Sequence, residues 1–262
     1  MWPEAGVKVV GGSVGGLAHE LRGLPNQDAL GWRFVSDTRT LIAVVADGAG
    51  SAACGGEGAR FVVSELIRSL SSPSIADNKN LPQADGALLV SHLLGAREHL
   101  TRLAELEKRP AKDYACTVLA CLLTPDGAWS AQIGDGAIVL GAPAGPSQAL
   151  HTSQQGEYVN ETVFLTSDQA VEHIKSGYHP GPHARLAMFT DGLQRIALKL
   201  PEGQPHEPFF KPLFQFLSQC GDAADAVEQI TGFLKSPRIR SRADDDLSLL
   251  LAQLDWAKPG KA

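Results

Sequence analysis

The chain has 262 residues, 44% of them hydrophobic, so it is long enough to bury a sizeable core within one large domain. It carries 23 basic and 29 acidic residues, a net charge of −6, with no basic block and no alternation of basic and aromatic residues. This charge pattern argues against a nucleic-acid partner.

Cysteine usage and the apolar runs bear on the cellular compartment. The four cysteines form no C-x-x-C pair, which is typical of small core side chains in a reducing compartment. The N-terminus lacks a basic segment followed by a long apolar stretch. Apolar runs such as 41–46 and 118–123 stop far short of the ~20 residues that span a bilayer. These features predict a cytoplasmic protein with no membrane contact.

Apolar alternation and apolar runs bounded by turn residues predict a protein rich in strands. Some neighbouring strands are joined by segments too short to hold a helix, as at 124–127 and 134–136, which predicts antiparallel pairing. The predicted strands are 7–10, 29–35, 41–46, 117–123, 128–133, 137–140, 162–166, 186–189 and 247–254.

Apolar residues at spacings of three and four predict two long helices. The first covers 59–70 and starts near Glu57, and the second covers 89–104 and is bounded by Pro110. The polar segment 71–86 would join them into a helical hairpin. Helices flanking antiparallel sheets predict a layered fold. The remaining predictions are a second helical pair at 209–217 and 223–234, and surface loops at 141–155 and 199–212.

Acidic residues stand at the ends of several predicted strands. Asp47 ends the apolar run 41–46 and is followed at once by Gly48. The other positions of this kind are Asp28, Asp135, Asp191 and the run Asp244 to Asp246. Carboxylates that converge without cations repel one another, and burial penalises their charged forms. The pattern therefore predicts a site for divalent metal ions.

The same residues resemble a known family of enzymes. The motifs Gln27-Asp28, Val45-Ala46-Asp47-Gly48, Gly134-Asp135-Gly136, Thr190-Asp191-Gly192 and Asp245-Asp246-x-Ser248 stand in order along the chain. Their order and strand contexts are similar to those of the metal-dependent PP2C-type (PPM) protein phosphatases, most of all the compact bacterial branch. Each Asp-Gly pair is common by itself, but five motifs in register make the resemblance specific. It runs from about His19 to Leu250.

The resemblance implies both a fold and an activity. The fold is α+β, with two antiparallel sheets packed as a sandwich and helices on both outer faces. One domain would span 1–256, with 257–262 as a C-terminal tail. The activity is hydrolysis of phosphoserine and phosphothreonine by a water that bridges two Mn²⁺ or Mg²⁺ ions. The implied partners are phosphorylated proteins, countering a serine/threonine kinase in a bacterial cell, and the enzyme is expected to be a monomer.

The metal ligands carry over position by position. Asp47 would bridge the two ions and Gly48 would add its backbone carbonyl. Asp191 and Asp245 would complete the shell of one ion. Asp28 would hold a metal-bound water, and Asp135 would bind a third, weaker ion. The residues expected to be catalytic are Asp47, Asp191 and Asp28.

The phosphate-binding group departs from the family pattern. Family members usually place an arginine five residues before the position of Asp28, but Gly23 stands there. Arg22, one step away, or His19 would then hold the phosphate, with Arg33 as a competitor. A histidine that can protonate the leaving group is replaced by Ala49, so no general acid is assigned. Only 56 positions separate Asp135 from Asp191, so the flap that shapes substrate choice is expected to be reduced or missing.

Simpler interpretations remain open for some of these residues. Asp135-Gly136 also fits a plain hairpin turn, Asp47 a helix cap, and Arg22 a surface position. The segment 48–53 matches a dinucleotide fingerprint, but Asp47 would then lie against a pyrophosphate, which argues against that function. A second functional class is a catalytically silent relative that binds phosphorylated partners or senses a signal. The presence of Asp47, Asp191 and Asp245 favours the enzyme.

Overall fold

The computed structural model describes residues 1–72, 86–143, 145–151 and 162–257. As far as these residues go, the chain divides into two compact units. The first unit contains the described residues within 1–26, 136–159 and 181–262, and the second those within 27–135 and 160–180. Each has its own five-stranded antiparallel sheet and its own apolar core. The predicted α+β class with two antiparallel sheets is confirmed.

The strands of the described residues are, in chain order, β1 Val7–Val14, β2 Asp28–Val35, β3 Thr40–Asp47, β4 Val118–Leu123, β5 Gly127–Ile133, β6 Ala137–Gly141, β7 Ser147–Ala149, β8 Lys175–Pro180, β9 Arg185–Phe189, β10 Leu198–Lys199, β11 Gln204–Pro205 and β12 Leu247–Leu254. The helices are α1 Leu17–Leu21, α2 Gly55–Leu70, α3 Ala87–Leu106, α4 Ala170–His173, α5 Gln194–Ala197, α6 Glu207–Gln219, α7 Ala223–Lys235 and α8 Pro237–Arg240. Two 3₁₀ turns lie at Ala111–Tyr114 and Asp191–Leu193.

The sheet of the second unit has the order β2-β3-β4-β5-β8, and α2 and α3 pack on it. Alternate residues of β3, such as Ile42 and Val44, join the apolar stripe of α2, including Val62 and Leu66, in one buried cluster. Burying an aliphatic side chain of this size contributes about 1.5–3 kcal/mol, so this cluster anchors β3 and the residues that follow it.

The sheet of the first unit has the order β1-β12-β9-β6-β7, with β12 paired to both β1 and β9. Its core combines inward-facing strand residues such as Phe189 with the apolar faces of α6 and α7. Phe209 and Phe210 meet edge to face, with ring centroids 5.1 Å apart. The β12 strand is therefore paired along both of its edges and also packs against α6. These contacts fix the position of the residues just before β12.

Three sequence predictions are wrong. The segment 162–166 is not a strand; its apolar run arises because Val163 and Leu165 pack on the core of the second unit. The strands β5 and β6 that flank 134–136 belong to different sheets, so they do not pair. The predicted loop 199–212 ends early, because α6 begins at Glu207 with Pro208 in its first turn, where a missing N–H costs nothing.

The structure adds detail to the other predictions. The remaining predicted strands and the four longer helices are present. β8 was missed because its half-exposed sequence, Lys-Ser-Gly-Tyr-His-Pro, lacks an apolar alternation. The predicted loop 141–155 contains β7. Residues 73–85 of the helix connection, 144 and 152–155 of that loop, and 258–262 of the tail lie outside the described residues.

All four cysteines are buried and none forms a disulfide. Burial raises the pKa of the Cys121 thiol to about 12. It also raises the pKa of Cys116 to about 12, with a further contribution from the negative charge of Asp47. Among the described helices, none combines the length and the apolar character that a bilayer crossing needs.

Candidate metal centre

Asp28 and Asp47 stand directly opposite each other on paired strands of the second unit. They are partners in the antiparallel register of β2 and β3. Opposite residues in such a pair share one face of the sheet, with Cβ atoms about 4.5–5.5 Å apart, and like charges there are destabilising. Asp28 is buried and Asp47 is half-buried. A cation between the two carboxylates removes the repulsion, so this strand end suits a divalent ion.

The backbone of Asp47 is clamped by Thr117. The Asp47 N–H donates to Thr117 Oγ1 at 3.1 Å, and the Thr117 N–H donates to the Asp47 carbonyl at 2.8 Å. Thr117 itself is buried. These two bonds fix the direction in which β3 ends, and with it the position from which the Asp47 side chain projects.

Gly48 lies where the chain has no room for a side chain. A Cβ atom at this position would come within 2.3 Å of the Gly55 backbone. The Gly48 N–H donates to the Gln27 carbonyl at 3.2 Å, next to Asp28. The requirement for glycine after Asp47 is therefore a packing requirement, and it brings the segment before Asp28 close to the segment after Asp47.

Asp135 occupies a turn between two glycines with positive φ, +86° at Gly134 and +93° at Gly136. Because the flanking strands belong to different sheets, the turn is not a hairpin. The Asp135 Oδ2 atom accepts a hydrogen bond from Thr162 Oγ1 at 2.8 Å. Its role as the ligand of a third ion stays a prediction.

In the first unit, Asp191 and Asp245 lie at the same edge of the sheet. β9 and β12 are antiparallel, so the residues that leave β9 and those that enter β12 are neighbours. Ser248 N–H donates to Thr190 Oγ1 at 3.1 Å, which ties the two segments together. A Cβ on Gly192 would lie only 2.2 Å from the Asp246 carbonyl oxygen, so this contact also needs glycine.

His19 and Asp246 form a buried pair beside Asp245. The Nδ1 atom of His19 lies 3.0 Å from Asp246 Oδ1, and its Nε2 atom lies 3.7 Å from Asp245 Oδ1. Asp246 Oδ1 also accepts the Gly16 N–H at 2.7 Å. Each of the three side chains offers one potential ligand atom, and these three atoms lie within 4.8 Å of one another. A group this close could hold a metal ion.

The two neighbouring aspartates of this group differ in exposure. The side chain of Asp246 is 1% exposed and that of Asp245 is 50% exposed. Asp246 is thus held inside by Gly16 and His19, while Asp245 is presented at the surface of the first unit. Sequence reasoning named Asp246 only as part of the Asp245-Asp246-x-Ser248 motif, because its burial and its contacts with Gly16 and His19 are visible only in the structure.

The two predicted phosphate-binding residues differ in their surroundings. His19 is buried, and its ring nitrogens lie near the carboxylates of Asp245 and Asp246. Arg22 is exposed at the end of α1, where its Nε donates to the Ala18 carbonyl at 3.0 Å. For both residues, phosphate binding stays a prediction.

The donor set is the one that hard divalent cations prefer. Each unit presents aspartates where its strands begin or end, Asp28 and Asp47 in the second unit and Asp191 and Asp245 in the first. Carboxylate and backbone carbonyl oxygens favour Mg²⁺ and Mn²⁺, whereas Zn²⁺ favours nitrogen and sulfur ligands. The residues present therefore fit the metal ions that the sequence predicts.

Comparison with known proteins agrees with this chemistry. A family model described as protein phosphatase 2C matches residues 15–235. The chain is 36% identical over 256 residues to serine/threonine-protein phosphatase 3 of Escherichia coli (strain K12), covering 96% of this chain and 99% of that protein. A crystal structure of a bacterial serine phosphatase matches with a TM-score of 0.67 and 16% identity, over 95% of this chain and 98% of the other. The catalytic domain of the phosphatase PstP in complex with two manganese ions matches with a TM-score of 0.62 and 16% identity, over 95% and 99% of the two chains. The chain belongs to the protein phosphatase 2C family.

Proposed function

We propose that this chain removes phosphate from phosphoserine and phosphothreonine in proteins, using two bound Mn²⁺ or Mg²⁺ ions and a third, weaker ion at Asp135. The observation that carries the proposal is the register of β2 and β3, which sets Asp28 opposite Asp47. The relative of 36% identity is a serine/threonine-protein phosphatase, and this supports the substrate class.

In this proposal, Asp47, Gly48, Asp191 and Asp245 are the metal ligands. The bound ions would supply an acidified water as nucleophile and would neutralise charge on the phosphoryl oxygens. Asp28 would accept a hydrogen bond from the attacking water and so orient it. Water attacks directly, so no covalent phosphoenzyme forms.

The residues around these ligands would act by holding the ligands in place. Thr117 fixes the backbone of Asp47, and Gly192 lets the Asp191 and Asp245 segments touch. Asp246 would hold the start of β12 by accepting the Gly16 N–H. His19 would do so through its contact with the Asp245 carboxylate. Arg22 or His19 is proposed to hold the substrate phosphate.

A catalytically silent relative that binds phosphorylated partners or senses a signal is the second candidate. The loss of one of the central metal ligands would favour this silent function. Asp47, Asp191 and Asp245 are all present, and the described relatives are phosphatases by name. These facts support the enzyme over the silent module.

We also propose that the protein acts in the cytoplasm, as a monomer, on proteins phosphorylated by a serine/threonine kinase. Four buried cysteines without a disulfide support a reducing compartment.

Phosphate release from a phosphothreonine peptide tests the proposal. The purified protein is stripped with EDTA and assayed with and without added Mn²⁺, with a phosphotyrosine peptide as the substrate control. We expect release from the phosphothreonine peptide only when metal is added. Full activity of the stripped sample would contradict the mechanism, and no release under any metal condition would favour the silent module.

A further inference from the structure

The first unit contains a pocket of ≈ 530 Å³ among the helices α5 to α8. Its apolar side includes Phe209, Phe216 and Phe233. Phe216 and Phe233 are only partly buried and pack against the apolar core of this unit. Three aromatic rings that line a pocket, two of them partly exposed, offer apolar surface that a ligand can cover.

The rim of the same pocket is cationic. Arg195, Arg238 and Arg242 line it, and no acidic residue does so among the described lining residues. Within the described part of the chain, none of these three guanidinium groups takes part in a hydrogen bond or an ion pair. Their neighbour Arg240, by contrast, pairs with Glu20 at 2.5 Å. In a chain of net charge −6, three arginines without a counter-ion around one pocket are complementary to an anion.

The size of the pocket points to the kind of ligand. Pockets of about 300–1,000 Å³ are typical of small-molecule sites, which combine an apolar lining with a few polar groups. A guanidinium group offers parallel N–H donors that match a carboxylate or a phosphate. We propose that this pocket binds a small organic acid with an apolar body, its ring or chain against the three phenylalanines and its anionic group against the arginines. This proposal does not depend on the phosphatase activity.

Binding of anilinonaphthalene sulfonate, a fluorescent aromatic anion, provides the test. We expect saturable binding of one molecule per chain, about tenfold tighter than that of phenylnaphthylamine, which has the same rings without the sulfonate. Octanoate should displace the probe, and octanol should do so poorly. Equal binding of the charged and neutral probes would overturn the proposal.

Two matched variants locate the binding site. Arg238→Gln combined with Arg242→Gln removes two charges from exposed positions and should weaken probe binding about tenfold. Arg102→Gln removes an exposed charge from α3 of the second unit and should leave probe binding unchanged. Thermal unfolding of all variants verifies that the fold is retained. Unchanged binding in the double variant would overturn the proposal, as would displacement by an acidic aromatic peptide but not by octanoate.

Discussion

Asp47 has a backbone fixed by hydrogen bonds, and it stands opposite a second aspartate. Its backbone is bonded twice to Thr117, and its partner across the strands is Asp28. Asparagine has nearly the same shape as aspartate and leaves both backbone bonds intact. The substitution therefore separates the chemistry of the carboxylate from its structural surroundings.

We expect Asp47→Asn to lower kcat by on the order of 10³-fold or more, equivalent to ~4 kcal/mol of barrier, while the fold is retained. The measurement is kcat on a phosphothreonine peptide, with circular dichroism to verify folding. Asp37→Asn changes an exposed turn aspartate in the same way and serves as the control. A near-wild-type kcat for Asp47→Asn would disprove the bridging role.

Two glycines provide a matched pair of substitutions with opposite expected signs. The Gly192→Ala methyl group would collide with the Asp246 carbonyl oxygen at 2.2 Å, a backbone atom that cannot move aside. We expect it to destabilise the protein by about 1–3 kcal/mol and to weaken metal binding. Gly95, inside α3, has nothing within 4 Å of its Cβ position. There, alanine should stabilise by about 0.5–1 kcal/mol.

Urea denaturation at a fixed Mn²⁺ concentration, with Mn²⁺ titrations of both variants, measures these differences. If Gly192→Ala were as stable as Gly95→Ala and bound Mn²⁺ equally well, the close contact between the Asp191 and Asp245 segments would be wrong.

At the scale of secondary structure, what the sequence could predict depended on local signals. β3 was predictable because its apolar run is continuous, and the aspartate that follows it marks its end. The pairing of Asp28 with Asp47 was not predictable, because register depends on contacts between strands. The short apolar run within 162–166 predicted a strand, although a loop that packs two side chains on a core can carry the same run.

Helix α7 carries a cap whose strength depends on pH. Asp222 accepts the N–H groups of Ala224 at 2.8 Å and Asp225 at 3.3 Å. These backbone hydrogen bonds, that of Ala224 foremost, lower the pKa of Asp222 below its usual value. A depressed folded pKa contributes stability above the unfolded pKa, and this contribution is lost as the pH falls through the folded value.

Asp222→Ala should therefore lower Tm by about 2–4 °C at pH 7, and the difference from wild type should shrink below about pH 4. Thermal unfolding followed by circular dichroism across this pH range tests it. Glu228→Ala, an exposed change farther along α7, is the control and should show little effect at either pH. A Tm difference that stayed constant with pH would refute the charged cap.

At the scale of the whole chain, the candidate ligands were predictable because each aspartate follows or precedes a recognisable strand. The distribution of the strands between sheets was not. Gly134-Asp135-Gly136 has the composition of a hairpin turn, yet here it connects β5 of one sheet to β6 of the other. Positive φ at both glycines is compatible with a hairpin turn and with a connection between two sheets. Which of the two forms therefore depends on which strands are available for pairing. The buried pair of His19 and Asp246 likewise depends on residues far apart in sequence.

Metal binding should stabilise the folded chain as a whole. A ligand at ~100 times its Kd that binds only the folded state adds about 2.7 kcal/mol, or roughly 5–10 °C in Tm for a chain of this size. We expect Mn²⁺ to produce such a shift and EDTA to reverse it. The Asp47→Asn and Asp191→Asn double variant should lose most of the shift. A Tm that does not respond to Mn²⁺ in the wild type would contradict a resident metal site.

The buried thiols have a consequence for how the protein tolerates oxidants. Burial raises the pKa of Cys116 and Cys121 to about 12, so both are almost entirely protonated thiols at pH 8. Alkylating agents and peroxide attack the thiolate, so neither thiol offers them a reactive target. The proposed reaction uses water as its nucleophile and no cysteine, so phosphate release should persist after iodoacetamide treatment that inactivates a phosphatase with a cysteine nucleophile. In a cell under oxidative stress, dephosphorylation by this protein would then continue while thiol-dependent enzymes stop.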